Sequence, residues 1–342
     1  MKITNLFGHR VGRGARAAGL GTTVLLAASL GLSGCGLQPS AAYVPEPGRG
    51  SIAEIDGADQ AETLTVTSKN FTEQQIMGKI AVLTAKAAGF DVKDMSNVPG
   101  SQPARELIAS GKADIMFDYT GTAWLTYLGH QTGYADQRVQ WEKVYQQDLG
   151  NGITWGSPAP LDNTYAFAIK ASQQEELGGI TKLSQIKDLP VSQRSFCVES
   201  EFNSRQDGFK PMLATYGLEL GAADGVPASQ VSILDTGAVY EATAQGSCSF
   251  GEVFTTDGRI KSLDLLVLED DLQFFPSYNV APLFRTELVE RFPALQEDFE
   301  RVAAKMSNEV FVELNRKVDV EGEDPADVAF DWMVSEGFIS RG

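Results

Sequence analysis

From Leu64 onward, short strand-like runs alternate with helical stripes, and this alternation restricts the fold more than any other feature of the chain. Leu64-Thr65-Val66-Thr67 has the period-two pattern of a strand. Thr72-Glu73-Gln74-Gln75 has capping-box spacing, and Ile76, Ile80, Leu83 and Ala87 follow on one helical stripe that Gly89 stops. A second unit repeats the order, with a strand from Phe90 to Met95, a helix from Pro103 to Ser110 and a strand from Ala113 to Phe117. Further strands are predicted at Tyr165 to Ile169, Ser195 to Val198, Val231 to Leu234, Ser249 to Phe254 and Leu265 to Leu268, and the end from about Thr286 is mainly helical. Such a pattern predicts an α/β fold with largely parallel sheets. In those sheets ligands gather beyond the carboxyl ends of the strands. Ser68-Lys69-Asn70-Phe71 stands there after the first strand, and Asp118-Tyr119-Thr120-Gly121-Thr122 after the third. Plain helix capping accounts for Thr72 but not for an aromatic followed by Thr-Gly-Thr at a strand end.

Before this region the text is of another kind. A basic stretch with Lys2, Arg10, Arg13 and Arg16 precedes an apolar run from Ala17 to Leu32, the order of a secretory leader. The run is too short and too poor in large apolar residues for a permanent membrane span. Leu32-Ser33-Gly34-Cys35 resembles a bacterial lipobox, in which a peptidase cleaves before a lipid-modified cysteine. Residues 1–34 are therefore expected to be a lipoprotein signal peptide. The mature chain would begin at an acylated Cys35 and stay at the extracytoplasmic face of the cell membrane. The alternative is an ordinary secretory leader with an incidental cysteine. Residues 35–62, with Pro39, Pro45, Pro47, Gly48 and Gly50, read as a flexible tether.

A chain of 342 residues, 43% of them hydrophobic, is long enough for two domains with real cores. Its net charge is −17, and loss of the leader makes it more acidic still. Such a surface repels nucleic acid and sets up a field that favours small cations. His9 leaves with the leader, so His130 stands alone, which removes multi-histidine metal sites and weakens any catalytic triad. HExxH, Walker, GxSxG and paired CxxC motifs are absent from the sequence. An extracellular enzyme acting on small amines or esters therefore lacks a nucleophile, and no cofactor or metal is expected. Cys197 and Cys248 remain after Cys35; outside the cell they can form a disulfide, the alternative being two buried thiols in neighbouring strands.

At the strand-end segments the chain resembles the substrate-binding proteins of bacterial osmoprotectant ABC importers, which bind glycine betaine, choline, carnitine and related compounds. The matching text is Ser68 to Gln74, Asp114 through Thr122, Glu201 to Gly208, Phe254 to Ile260, and Glu269-Asp270-Asp271 leading into Phe275-Pro276-Ser277-Tyr278-Asn279. The resemblance implies a two-lobed periplasmic-binding-protein fold with a hinge and an interlobe ligand cleft. Lobe one would comprise 63–162 and 277–342 and lobe two 163–276, with crossings near Asn163 and Pro276. It also implies no catalysis, a monomer, and an ABC permease in the membrane as partner. A non-transport sensor on the same fold, or a receptor for another polar cation or amino acid, are the alternatives.

A trimethylammonium group is cationic but has no N–H to donate. Aromatic faces offer it negative quadrupole potential at little desolvation cost, about 0.5–2 kcal/mol each. The family uses such a box, and the resemblance assigns it to Tyr119, Tyr165, Phe254 and Tyr278. Phe254 stands where a tyrosine is expected, and Tyr240 is its rival. Thr122 occupies a position where some choline-selective relatives carry aspartate; a threonine suits a ligand with a carboxylate. Arg205 is expected to clamp that carboxylate or latch the lobes, with Lys69, Gln74 and Asn163 as further contacts.

Overall fold

The computed structural model describes residues 44–342. The signal peptide expected over 1–34 and the lipidation site at Cys35 lie outside the described residues. Two five-stranded sheets organise the chain. The first has the order Val92–Val98, Leu64–Lys69, Ile115–Tyr119, Val280–Arg285, Ile153–Trp155. The second has the order Leu265–Val267, Tyr165–Lys170, Phe250–Phe254, Phe196–Glu199, Val231–Leu234.

Both sheets are mixed, which corrects the expectation of largely parallel ones. Leu64–Lys69 runs parallel to both its neighbours, whereas Val280–Arg285 is antiparallel to both of its own. In the second sheet Phe196–Glu199 pairs in parallel, and Tyr165–Lys170 is antiparallel on both sides. The reversed strand in each sheet is the one through which the chain arrives from the other sheet. It enters at the edge where the parallel strands end, with Val280 opposite Tyr119 and Tyr165 opposite Phe254, so it has to run the other way.

The two crossings lie side by side. Asp162 and Asn279 form an antiparallel bridge, and the Asp162 carboxylate accepts the Tyr278 N–H at 2.8 Å. Asn308, at the start of helix Asn308–Asp319, donates to the Asp162 carbonyl at 2.9 Å and ties the crossings to the first lobe.

Helix Thr72–Ala87 is buried on nearly every side, between the first sheet and the helices Pro293–Ala303, Asn308–Asp319 and Pro325–Ser335. The expected capping box is not made. Phe71 takes the N-cap, Thr72 is the first helical residue, and its hydroxyl donates to Asp319 at 2.6 Å. The Gln75 side chain turns back to the Asn70 carbonyl at 2.7 Å instead. The second lobe has its own core of edge-on and tilted rings, Phe167, Phe196, Phe202, Phe209 and Phe250. A disulfide joins Cys197 to Cys248, their Cα atoms 5.8 Å apart.

The tether expected over 35–62 is corrected for residues 44–62, which pack on the first lobe. Pro47–Gly48 pairs with Ser340–Arg341, Ile52 and Ala58 are buried in the first core, and Ile55 N–H donates to Ala88 at 2.9 Å. Gly50 serves close approach here rather than flexibility: a Cβ would lie 2.2 Å from the Phe338 carbonyl oxygen.

Candidate functional site: an aromatic cleft between the lobes

Between the sheets, at the ends of the parallel strands, lies a cavity of about 560 Å³. Its rings come from separate elements. Tyr119 closes strand Ile115–Tyr119, and Phe71 caps helix Thr72–Ala87. Tyr165 and Phe254 are register partners on adjacent strands of the second sheet. Tyr278 lies on the return crossing. Their centroids form a continuous chain: Tyr119 to Phe71 6.1 Å, Phe71 to Phe254 5.2 Å, Phe254 to Tyr165 5.3 Å and Tyr165 to Tyr278 5.7 Å. Thr-Gly-Thr at the strand end has a steric reason. A Cβ on Gly121 would sit 2.6 Å from Tyr278 Cδ1, so only glycine lets that ring approach.

Buried charged groups hold the three tyrosines from behind. Tyr119 donates to Glu73 at 2.7 Å, Tyr278 donates to Asp207 at 2.6 Å, and the Arg205 guanidinium lies 5.4 Å from the Tyr165 ring centre. Burial, aided by neighbouring carboxylates and opposed at Tyr165 and Tyr278 by Arg205, pushes all three phenols well above their ordinary range, so they remain neutral.

Tyr119, Thr122, Tyr165, Phe254, Tyr278, Lys69 and Asn163 all line the cavity. Two of the sequence candidates do not. Gln74 is buried at the strand end, where it accepts from Lys69 N–H at 3.2 Å and donates to the Phe117 carbonyl at 3.1 Å. Arg205, expected to clamp a ligand carboxylate or latch the lobes, has its guanidinium engaged by both oxygens of Asp207 and by Glu201. It supports a ring and does not line the cavity. Tyr240 also lies outside, accepting the Phe254 N–H at 2.8 Å beneath Arg259.

Phe71, Glu73, Thr256 and Arg259 line the cavity although sequence reasoning did not single them out. Phe71 and Glu73 belong to a segment quoted for its position after a strand. The signal for Arg259 is Asp257 two residues before it, which holds the guanidinium over Tyr240.

Acids dominate the lining. Glu73, Glu199, Glu201, Asp235, Asp257 and Asp319 face the cavity, against Lys69 and Arg259. Both bases are already paired, Lys69 with Asp118 at 2.6 Å and Arg259 with Asp257, with Asp319 at 3.4 Å. Burial is the largest influence on Glu73 and raises it above the ordinary carboxyl range despite four side-chain donors. For Glu201 burial also pushes upward, but Lys69, the Ser101 N–H at 3.0 Å and Arg205 outweigh it and hold the group low. A cavity with ring faces and excess negative charge suits a small cation. Among the described residues, no histidine or cysteine lines it.

Two lobes that close ring faces over a cleft define a solute receptor. Residues 62–335 match the substrate-binding domain of the ABC-type glycine betaine transport system, and the chain belongs to that family. It is a family of transport receptors rather than a class of enzymes. The glycine-betaine-binding protein of Pseudomonas aeruginosa is 34% identical over 293 residues, 84% of this chain and 92% of the relative. The structure of apo YehZ from Escherichia coli superimposes with a TM-score of 0.60 at 26% identity, covering 81% of this chain and all of that one. A glycine betaine/carnitine/choline ABC transporter structure has the same fold, with a TM-score of 0.65 at 23% identity over 80% of this chain and 98% of that one. The architecture is the two-lobed periplasmic-binding-protein fold.

Proposed function

We propose that this protein captures quaternary ammonium osmolytes, glycine betaine first among them, outside the cell membrane and hands them to an ABC permease. The observation that carries the reading is the chain of five rings, Phe71, Tyr119, Tyr165, Phe254 and Tyr278, around one acid-lined cavity. Three or four ring faces around one cation supply several times the ~0.5–2 kcal/mol of a single contact. Thr122 donates to the carboxylate at the other end of the ligand, with Lys69 and Asn163 as further contacts. The lobes, 63–162 with 277–342 against 163–276, close about the paired crossings, and the receptor works as a monomer.

Calorimetric titration against glycine betaine, carnitine and choline tests the reading. Carboxylated ligands are expected to bind more tightly than choline, and Thr122→Asp to narrow or reverse that order, because its carboxylate repels theirs and accepts from the choline hydroxyl. No heat with any of the three refutes the reading; a strong wild-type preference for choline refutes the role of Thr122. Attachment through an acylated Cys35 belongs to the same proposal. Cys35→Ala should leave the membrane fraction or accumulate unprocessed, and normal processing with full membrane retention would contradict it.

A further inference from the structure

Glu73 joins more separate parts of the molecule than any ring of the cage does. It is 2% exposed and stands in the first turn of helix Thr72–Ala87. One oxygen accepts from Tyr119 at 2.7 Å and from Asn163, on the first crossing, at 2.9 Å. The other accepts from the Thr256 hydroxyl and from Asn315 at 3.2 Å. Thr256 belongs to the second lobe, in the loop that follows strand Phe250–Phe254, while Asn315 lies on helix Asn308–Asp319 of the first. Asn315 also donates to the Thr256 carbonyl at 3.0 Å. Both amides must point their nitrogens inward, because the carboxylate they meet is an acceptor.

Two further contacts continue this interlobe seam. Gly258, two residues after Thr256, lies so near helix Asn308–Asp319 that a Cβ would fall 2.7 Å from Arg316 Cα. Arg259 reaches Asp319 of the same helix at 3.4 Å. The loop and the helix thus form one clasp across the cleft, and Glu73 connects that clasp to a ring of the cage.

We propose that Glu73 is a positioning residue that fixes the Tyr119 ring and, through Thr256, locks the second lobe over the occupied cage. The inference rests on reading the cavity as a quaternary ammonium site. When the lobes part, a buried carboxylate loses one of its donors, and a desolvated charge tolerates that poorly. The clasp therefore favours the closed state and acts on escape of the ligand rather than on its arrival.

Stopped-flow kinetics with glycine betaine separate the two rates. Thr256→Val removes the hydroxyl at nearly constant shape and is expected to raise koff about tenfold with kon unchanged. Thr256→Ser keeps a donor and should restore slow release. Gly258→Ala, which touches no ligand, should also speed release by wedging loop from helix. Unchanged koff in both Thr256→Val and Gly258→Ala, or a loss carried by kon, overturns the proposal. If the wild type binds no quaternary ammonium compound, the functional reading fails and the clasp is read by solution scattering without ligand. A larger radius of gyration for Gly258→Ala than for the wild type then supports it, and identical radii overturn it.

Discussion

The two lobes face one cleft but are held together differently. The core of the first gathers residues from Ile52 to Ile339, because the N-terminal segment and three C-terminal helices all pack on helix Thr72–Ala87. The core of the second draws on a single stretch, Phe167 to Leu268, and adds the Cys197–Cys248 disulfide beside Val239. Each lobe carries buried acid in two ways. Asp118 of the first and Asp207 of the second are paired with Lys69 and Arg205, whereas Glu73 of the first and Glu252 of the second have no ion-pair partner among the described residues; Glu252 accepts the Glu199 N–H at 2.7 Å. A smaller core has less apolar burial to set against chain entropy, and a covalent cross-link compensates by restricting the unfolded chain.

Removing the cross-link should break this comparison most visibly. With the cysteines 51 positions apart in sequence, chain-entropy arguments give a loss of about 4 kcal/mol for Cys197→Ala with Cys248→Ala. Hydrogen exchange should show protection falling in residues 163–276 and persisting in the first lobe. An equal fall in both lobes would mean that they unfold as one unit.

Glu252 gives the next largest effect. Burial is the first cause that pushes its carboxyl up to about 8, from an ordinary 4.5; the charges of Glu199 and Glu201 push the same way, against the Glu199 N–H and Arg205. Because the folded state holds the proton more tightly, the stability it contributes is complete below the unfolded value and is lost as pH rises toward 8. Thermal melts between pH 5 and 9, on the order of that titration range, should therefore show Glu252→Gln gaining on the wild type at the alkaline end. Parallel curves would place the acid in a wetter setting than the fold implies.

A smaller effect is expected in the cage itself. Tyr119→Ala should weaken glycine betaine binding by about 0.5–2 kcal/mol for the ring face, with lost packing added. Tyr119→Phe keeps the face and gives up the hydroxyl bond to Glu73, so it should cost less. If titration finds the two variants equally impaired, the hydroxyl matters more than the ring.

Much of this comparison is legible in the residues. Val231–Leu234 and the start of Leu64–Lys69 stand out because alternation and β-branched side chains mark strands. Sheet direction is not legible, since the reversed strands Tyr165–Lys170 and Val280–Arg285 follow from where the chain crosses rather than from local pattern. Helix Gln137–Leu149 escapes notice because only Gln140, Val144 and Asp148 along it are buried, two of them polar. Residues 44–62 look like a linker, since glycine and proline serve close packing and flexibility alike. In the cleft, Tyr165, Phe254 and Tyr278 are legible only through resemblance, because a lone aromatic reads as core, whereas Tyr119 also stands out by its place at a strand end. The partner of Arg205 is not legible in the pattern: Asp207, two residues on, takes the guanidinium fork.

The central claim is that ring faces bind the positive charge of a quaternary nitrogen and not merely its methyl groups. The direct test is a paired calorimetric titration with glycine betaine and tert-butylacetate, which keeps shape and carboxylate but replaces nitrogen by carbon. Saturable binding of the betaine, with the carbon analogue weaker by at least about tenfold, is the result the cage predicts. Equal affinity for both would contradict it, because an apolar pocket would then account for the binding without cation recognition.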